Sequence, residues 1–182
     1  MENKMDLDKI ETTLRGYGFA TGCLESEKTG EPLLVAIKRG QRAKILVFDA
    51  NHGFEEIGSA SYNINNEGVY LSTFVVKEEM QRQGIGRMIF ELAMAHGDAL
   101  GKACIYGVAN PTDPIKEVSN KEGGSFEIEQ KVIMDIYQKL GCTLDGEKFI
   151  RKWKQGERIK ESNDKTKMLI SNVIEDQDEP NN

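Results

Sequence analysis

The chain has 182 residues, with 24 Lys and Arg against 30 Asp and Glu, a net charge of −6, and 38% hydrophobic residues. That length suits one domain with a tail, able to bury a core without staples. The acidic balance excludes a general binder of nucleic-acid backbones and favours cationic or amine-bearing partners.

No apolar run reaches the roughly 18 residues of a membrane span, and the opening "MENKMDLDKI" has no signal-peptide core. A cytoplasmic protein without membrane attachment is expected. Cys23, Cys104 and Cys142 are odd in number and lack metal-ligand spacing, so free thiols in a reducing compartment are expected, and no metal. His52, in a turn, and His96, near a helix end, read as structural.

In chain order, Asp6 to Leu14 forms a short helix with Leu7, Ile10 and Leu14 on one face. Residues 16–32 carry no assignable pattern. "LLVAIK" (33–38) and "AKILVFD" (43–49) make a hairpin across "RGQR". "EEIGSASYNI" (55–64) precedes the turn "NNEG", and "VYLSTFVV" (69–76) is continuous enough for a strand covered on both faces.

Ile85, Met88, Ile89, Leu92, Ala95 and Ala99 recur at helical spacing, with Gly97 and Gly101 marking the end. "KACIYGVAN" (102–110) is a second buried strand, and strand, helix and strand form a βαβ unit with parallel strands. Residues 111–124 are a loop. A helix spans 125–141, with Ser125 as N-cap, Gly141 as stop, and Val132, Ile133, Ile136, Tyr137 and Leu140 as its apolar stripe. A hairpin turns at Asp145-Gly146. The domain is read as 1–154. Residues 155–182, with 4 basic and 7 acidic side chains, read as a flexible charged tail in which "MLISNVI" (168–174) is able to dock.

The chemistry concentrates in "MQRQGIGRM" (80–88). A turn there delivers unpaired backbone N–H groups at a helix N-terminus, beside the positive end of the helix dipole, which suits a phosphate or pyrophosphate. Gly84 and Gly86 remove β-carbons that would hold a phosphate off the backbone. Gln81, Arg82, Gln83 and Arg87 add donors. The dinucleotide pattern fails because residue 89 is Ile, and no G-K-[ST] follows for a P-loop.

The run Gln81-Arg82-Gln83-Gly84-Ile85-Gly86 resembles the Q/R-x-x-G-x-G/A signature of the GNAT superfamily of N-acetyltransferases. Ile136-Tyr137-Gln138-Lys139-Leu140-Gly141-Cys142 is similar to that family's "lYeklGF" helix ending, with Cys142 in place of Phe. Asn110, ending the next strand, stands where the family often contacts the pantetheine arm. The resemblance covers about residues 69–153.

It implies an α/β (α+β) fold: a mixed, mostly antiparallel sheet with helices on both faces and a central parallel pair splayed at its C-terminal ends. It also implies acetyl-CoA as co-substrate, its pyrophosphate on the 81–87 turn and its pantetheine arm along Phe74, Val75 and Val76. The acceptor would be a primary amine on a protein N-terminus, a lysine or a small molecule. Backbone N–H near Val75 or Val76 would polarise the thioester, and Tyr137 would protonate the leaving sulfur.

The family's base position falls on Tyr70 or Ser72, and on Ile105 or Tyr106, none of them a carboxylate. Glu67 is the candidate base, with Asp113, Glu117 and Glu127 as alternatives, or the amine arrives neutral. Asn110 and Tyr137 stand 27 residues apart, farther than in the family, and Gln130 occupies the usual spacing. No helical pair separates the first two strands, a place that the N-terminal helix and residues 16–32 would fill. The rival expectation is a GNAT-fold protein without transferase activity that binds a partner or senses acyl-CoA.

Overall fold

The computed structural model describes residues 2–77, 80–81, 83–109 and 126–175, with side chains from residue 6 and, in the third helix, from residue 131. The strands are β1 (Phe19–Glu25), β2 (Pro32–Lys38), β3 (Arg42–Asp49), β4 (Glu55–Asn65), β5 (Gly68–Val76), β6 (Cys104–Val108), β7 (Thr143–Asp145) and β8 (Lys148–Lys152). The helices are α1 (Glu2–Gly16), α2 (Ile85–Ala99), α3 (Phe126–Lys139), α4 (Glu157–Glu161) and α5 (Asp164–Glu175). They surround one eight-stranded sheet of order β1-β2-β3-β4-β5-β6-β8-β7. Every pairing is antiparallel except β5 with β6. This is the mixed α/β fold that the resemblance implies.

Helices lie on both faces. Thr21 Oγ1 donates to Glu11 of α1, while its neighbour Gly22 lies under Leu169 of α5. Adjacent strand residues point to opposite faces, so α1 and α5 sandwich β1. The five residues Leu33–Ile37 inside β2 are buried without alternation, as a strand covered on both sides requires. β3, on the other side of β2, keeps a clean alternation.

α2 crosses the sheet closely. A β-carbon on Gly97 would come within 2.2 Å of Val69, so this glycine is a contact point within the helix rather than its stop. Gly101, at φ 83°, follows the helix end.

The chain beyond residue 155 departs from expectation. Residues 157–161 and 164–175 are helical, and Leu169, Ile170 and Val173 join the central core. Asp98, buried in α2, accepts hydrogen bonds from the backbone N–H of Gly156 (2.7 Å) and Ile159 (3.1 Å). Its carboxylate satisfies donors at the start of α4 that the helix itself leaves open. Residues 16–32 yield β1, and α1 extends beyond the predicted 6–14 at both ends. Between β1 and β2 stands only a turn.

A buried pair ties β4 to α2. Tyr62 Oη and His96 Nδ1 are 2.7 Å apart, both residues fully enclosed, and His96 Nε2 has no partner among the described residues. The cheapest arrangement has Tyr62 donating to Nδ1, which leaves a single N–H unsatisfied. Burial lowers the His96 pKa to about 4 and raises that of Tyr62.

Above pH ~6.5 His96 is neutral in both states and its environment costs nothing. As pH falls from there to about 4, the unfolded chain binds a proton that the folded chain refuses. Stability should therefore drop through this window, by roughly 3 kcal/mol at its full extent. Urea denaturation between pH 7 and 4 checks this: His96→Gln should flatten this component of the profile, and an unchanged slope would assign the acid sensitivity elsewhere.

Candidate active site

The site is built by the early parting of β5 and β6. Their register covers only Val69 with Ile105 and Tyr70 with Tyr106, although β5 continues to Val76 and β6 to Val108. A bulge marks the parting: Ser61 of β4 pairs with Thr73 and Tyr62 with Leu71, leaving Ser72 extra. Ser72 Oγ donates to Ser61 O (2.9 Å), and Ser61 N–H donates to Thr73 Oγ1 (3.1 Å). The surplus residue bends β5 and shifts its alternation. Val69 meets α2 at Gly97, but past the bulge it is Phe74 and Val76 that meet α2, at Gly86.

The same parity governs the backbone. Lys77 N–H donates to Ile57 O, and Val75 lies opposite Ser59, so these residues turn their polar groups toward β4. Phe74 and Val76 therefore turn theirs toward the gap. Val76 O is taken by Gln81 Nε2 at 3.0 Å, which among the described residues leaves the N–H groups of Phe74 and Val76 and the carbonyl of Phe74 along an open edge. The expectation of Val75 as a cleft donor is corrected by this alternation.

At the end of that edge α2 begins. Gly84, its N-cap, sits at φ 82° with no side-chain cap on the helix. A β-carbon there would meet nothing nearer than Lys28 Cγ at 3.9 Å, so conformation rather than space demands glycine. At Gly86 the missing β-carbon faces Phe74 and Val76 at 3.4–3.6 Å. That is an ordinary contact distance, so α2 packs on β5 here without the packing itself requiring glycine. Ile85 is buried, while Arg87 is exposed and donates to Lys139 O (3.1 Å), joining the start of α2 to the end of α3. Ser26 in the β1–β2 turn donates to Gln83 O (3.2 Å) and braces the turn. A cavity of about 200 Å³ on that flank is lined by Glu27, Arg87 and Glu91 among others. Partial burial, with Glu27 nearby, raises the Glu91 carboxyl.

Tyr137 enters from α3. Its ring stacks on Phe149 with centroids 3.8 Å apart and lies 6.5 Å from Phe74 and 6.4 Å from Phe90. Its hydroxyl makes no hydrogen bond among the described residues. Burial first, then the neighbouring Cys142, raises its pKa, so the phenol stays protonated across the physiological range. Of the α3 stripe, Ile133, Tyr137 and Leu140 are buried, whereas Val132 and Ile136 are exposed.

Glu67 is not brought to this place. It lies in the turn before β5, its backbone N–H bonded to Asn65 Oδ1 and its carbonyl accepting from Cys104 Sγ. Seven residues of strand separate it from Phe74, about 23 Å, and the gap opens at the far end. Arg82, Asn110, Asp113 and Glu117 lie outside the described residues, as do the side chains of Glu127 and Gln130. Tyr70 and Tyr106, with ring centroids 5.4 Å apart, flank the closed end of the gap. Of the partners of Tyr137, Phe74 is the one expected at the cleft, whereas Phe90 and Phe149 had no individual sequence signal. Among the described residues no group of three or more His, Cys, Asp or Glu could hold a metal ion, and no helix is long and apolar enough to cross a membrane.

Residues 14–113 match the sequence profile of the Acetyltransferase (GNAT) family. The chain belongs to this family. No curated protein sequence matches it significantly. Among solved structures, it is similar to a cAMP-binding acyltransferase from Mycobacterium smegmatis, at 11% identity and a TM-score of 0.61 over 95% of this chain and 60% of that one. It is also similar to the PaiA N-acetyltransferase from Thermoplasma acidophilum in complex with coenzyme A, at 17% identity, TM-score 0.44 and 60% of each chain. A GNAT-family acetyltransferase from Staphylococcus aureus aligns at 13% identity, TM-score 0.44, over 63% of this chain and 69% of that one. At 11% identity the likeness to the mycobacterial acyltransferase is one of fold. The chain spans about 60% of the mycobacterial acyltransferase.

The two glycines of the GNAT turn should respond oppositely to alanine. Gly84→Ala forces a side chain into the left-handed region and should cost about 1–2 kcal/mol. Gly86→Ala meets only ordinary contacts in a helical turn and should be neutral or stabilising by up to ~1 kcal/mol. Urea denaturation of both variants gives the comparison, and equal costs would contradict these assignments.

Proposed function

We propose that this GNAT chain is an acetyl-CoA-dependent N-acetyltransferase that acts on a primary amine, on a protein or a small molecule. The observation that carries the reading is the open edge of β5 between Tyr70 and Val76, aligned with the uncapped N-terminus of α2. Phe74 and Val76 offer backbone groups for an extended pantetheine arm to pair with, as a further strand would. The amides opening α2, with Gln81 and Arg87 beside them, suit the pyrophosphate.

Acetyl-CoA would supply an electrophilic thioester carbon and a thiolate leaving group. The N–H groups of Phe74 and Val76 would stabilise negative charge on the carbonyl oxygen as the amine adds. Tyr137, kept protonated by its surroundings, holds a proton for the departing sulfur. An ordinary phenol is a weaker acid than a thiol, and burial widens that gap, so its main contribution is a hydrogen bond that tightens as thiolate charge grows.

No residue of β5 or β6 carries a carboxylate, which supports an amine that reaches the gap in its neutral form. That same observation favours a second reading, an acyl-CoA-binding module without turnover.

Calorimetric titration with acetyl-CoA separates binding from chemistry. Micromolar affinity is expected, and Arg87→Glu should weaken it at least tenfold by reversing charge beside the α2 amides. Failure of the folded wild-type chain to bind would overturn the assignment of the turn. Tyr137→Phe keeps the stack on Phe149 and removes only the hydroxyl. Turnover of amine acceptors, followed by thiol release, should then fall ~10²-fold, with acetyl-CoA affinity changed less than about twofold. Equal turnover would remove Tyr137 from the chemistry. Binding without thiol release across protein, lysine and polyamine acceptors would select the second reading.

A further inference from the structure

At the end of the sheet opposite the α2 N-terminus lies an open groove of about 670 Å³, lined by Lys38, Arg39, Gln41, Asn66, Leu100 and Lys102 among others. Its described lining holds three cations and no carboxylate, on a chain whose net charge is −6. The C-terminal end of α2 is at this groove, and cations there complement the helix dipole. Three cations around one concavity also make a site for an anionic segment.

The course of α5 identifies that segment. Lys165 Nζ is 3.2 Å from Glu25 Oε1 at the far end of β1, and Leu169 covers Gly22. α5 therefore runs antiparallel to β1, toward Phe19. From Leu169 to Glu175 the helix advances about 9 Å, while β1 and its preceding residue cover about 13 Å from Gly22 back to Gly18. α5 thus ends one short step from Gly18, which itself lines the groove. Lys38 is the cross-strand partner of Phe19, and Arg39 N–H donates to Gly18 O. The residues that follow Glu175 are "DQDEPNN", with Asp176, Asp178 and Glu179. Seven extended residues reach up to about 25 Å, enough to pass from Gly18 across the strand ends to Lys102.

We propose that residues 176–182 dock into this groove, so that their carboxylates meet Lys38 and Lys102 and fasten the end of α5 to the edge of the sheet. The contact is intramolecular. Tethering at a millimolar effective concentration lets pairs that are individually weak hold the segment. The inference stands independently of the transferase reading.

The test compares the full chain with one ending at Glu175 by amide NMR, using a synthetic peptide of residues 175–182 as probe. At low salt the amides of Lys38–Gln41 and Lys102 should differ between the two chains. The difference should vanish near 0.5 M salt, where screening shortens to a few ångströms. Peptide added to the shortened chain should move the same resonances toward their full-chain positions. It should bind the full chain at least ~10-fold more weakly, because the attached segment competes. Lys38→Glu combined with Lys102→Glu should remove every one of these effects. Groove resonances indifferent to shortening would overturn the proposal. So would equal affinity of the peptide, or of an unrelated octaglutamate, for both chains, since the groove would then stand open to an acidic partner.

Discussion

Ser72 is one residue more than β4 can pair, and β5 absorbs it by bending between Leu71 and Thr73. An antiparallel neighbour that tolerates the surplus on one side forces the strand away from its parallel neighbour on the other, and pairing with β6 ends at Tyr70 and Tyr106. The shift in alternation also decides which side chains meet α2 and which amides face the gap. Without it, Thr73 and Val75 would meet the helix. Phe74 would then lose its place beside Phe90 and Tyr137, and the open edge would present different donors. A single inserted residue thus sets cleft, donors and aromatic floor together.

Long, regular elements were legible in the sequence because periodicity encodes them. The β5–α2–β6 unit, the β2–β3 and β7–β8 hairpins and the helix that carries Tyr137 all follow from apolar spacing and turn residues. The glycine turn was located correctly as a helix start, but the reasons for its two glycines needed coordinates. One has a positive φ and the other touches Phe74 and Val76, and "GIG" is compatible with either assignment at either position. Glu67 is a different case. The direction of β5 follows from the sequence once the strands are parallel, and that direction alone puts Glu67 at the closed end.

The helices after residue 155 were hidden by their charge. A stripe of Leu169, Ile170 and Val173 within a strongly charged stretch gives too short a pattern to hold a helix alone. What stabilises α5 is tertiary: Gly22 in β1 leaves room for Leu169, and the buried Asp98 fixes α4 just before it. Neither partner is near in sequence. The bland look of Gly22 in an unassigned segment was the trace of this contact.

The cleft contains no ionised side chain on its strands, and Tyr137 is held neutral by an apolar stack. In such a place the backbone dipoles of Phe74, Val76 and the start of α2 supply a fixed field. Dipoles held by a sheet and a helix cost nothing to reorganise when charge moves, whereas a buried carboxylate would need its own partner to remain ionised. The lack of a carboxylate on β5 and β6 and the protonated phenol are therefore two features of one apolar environment.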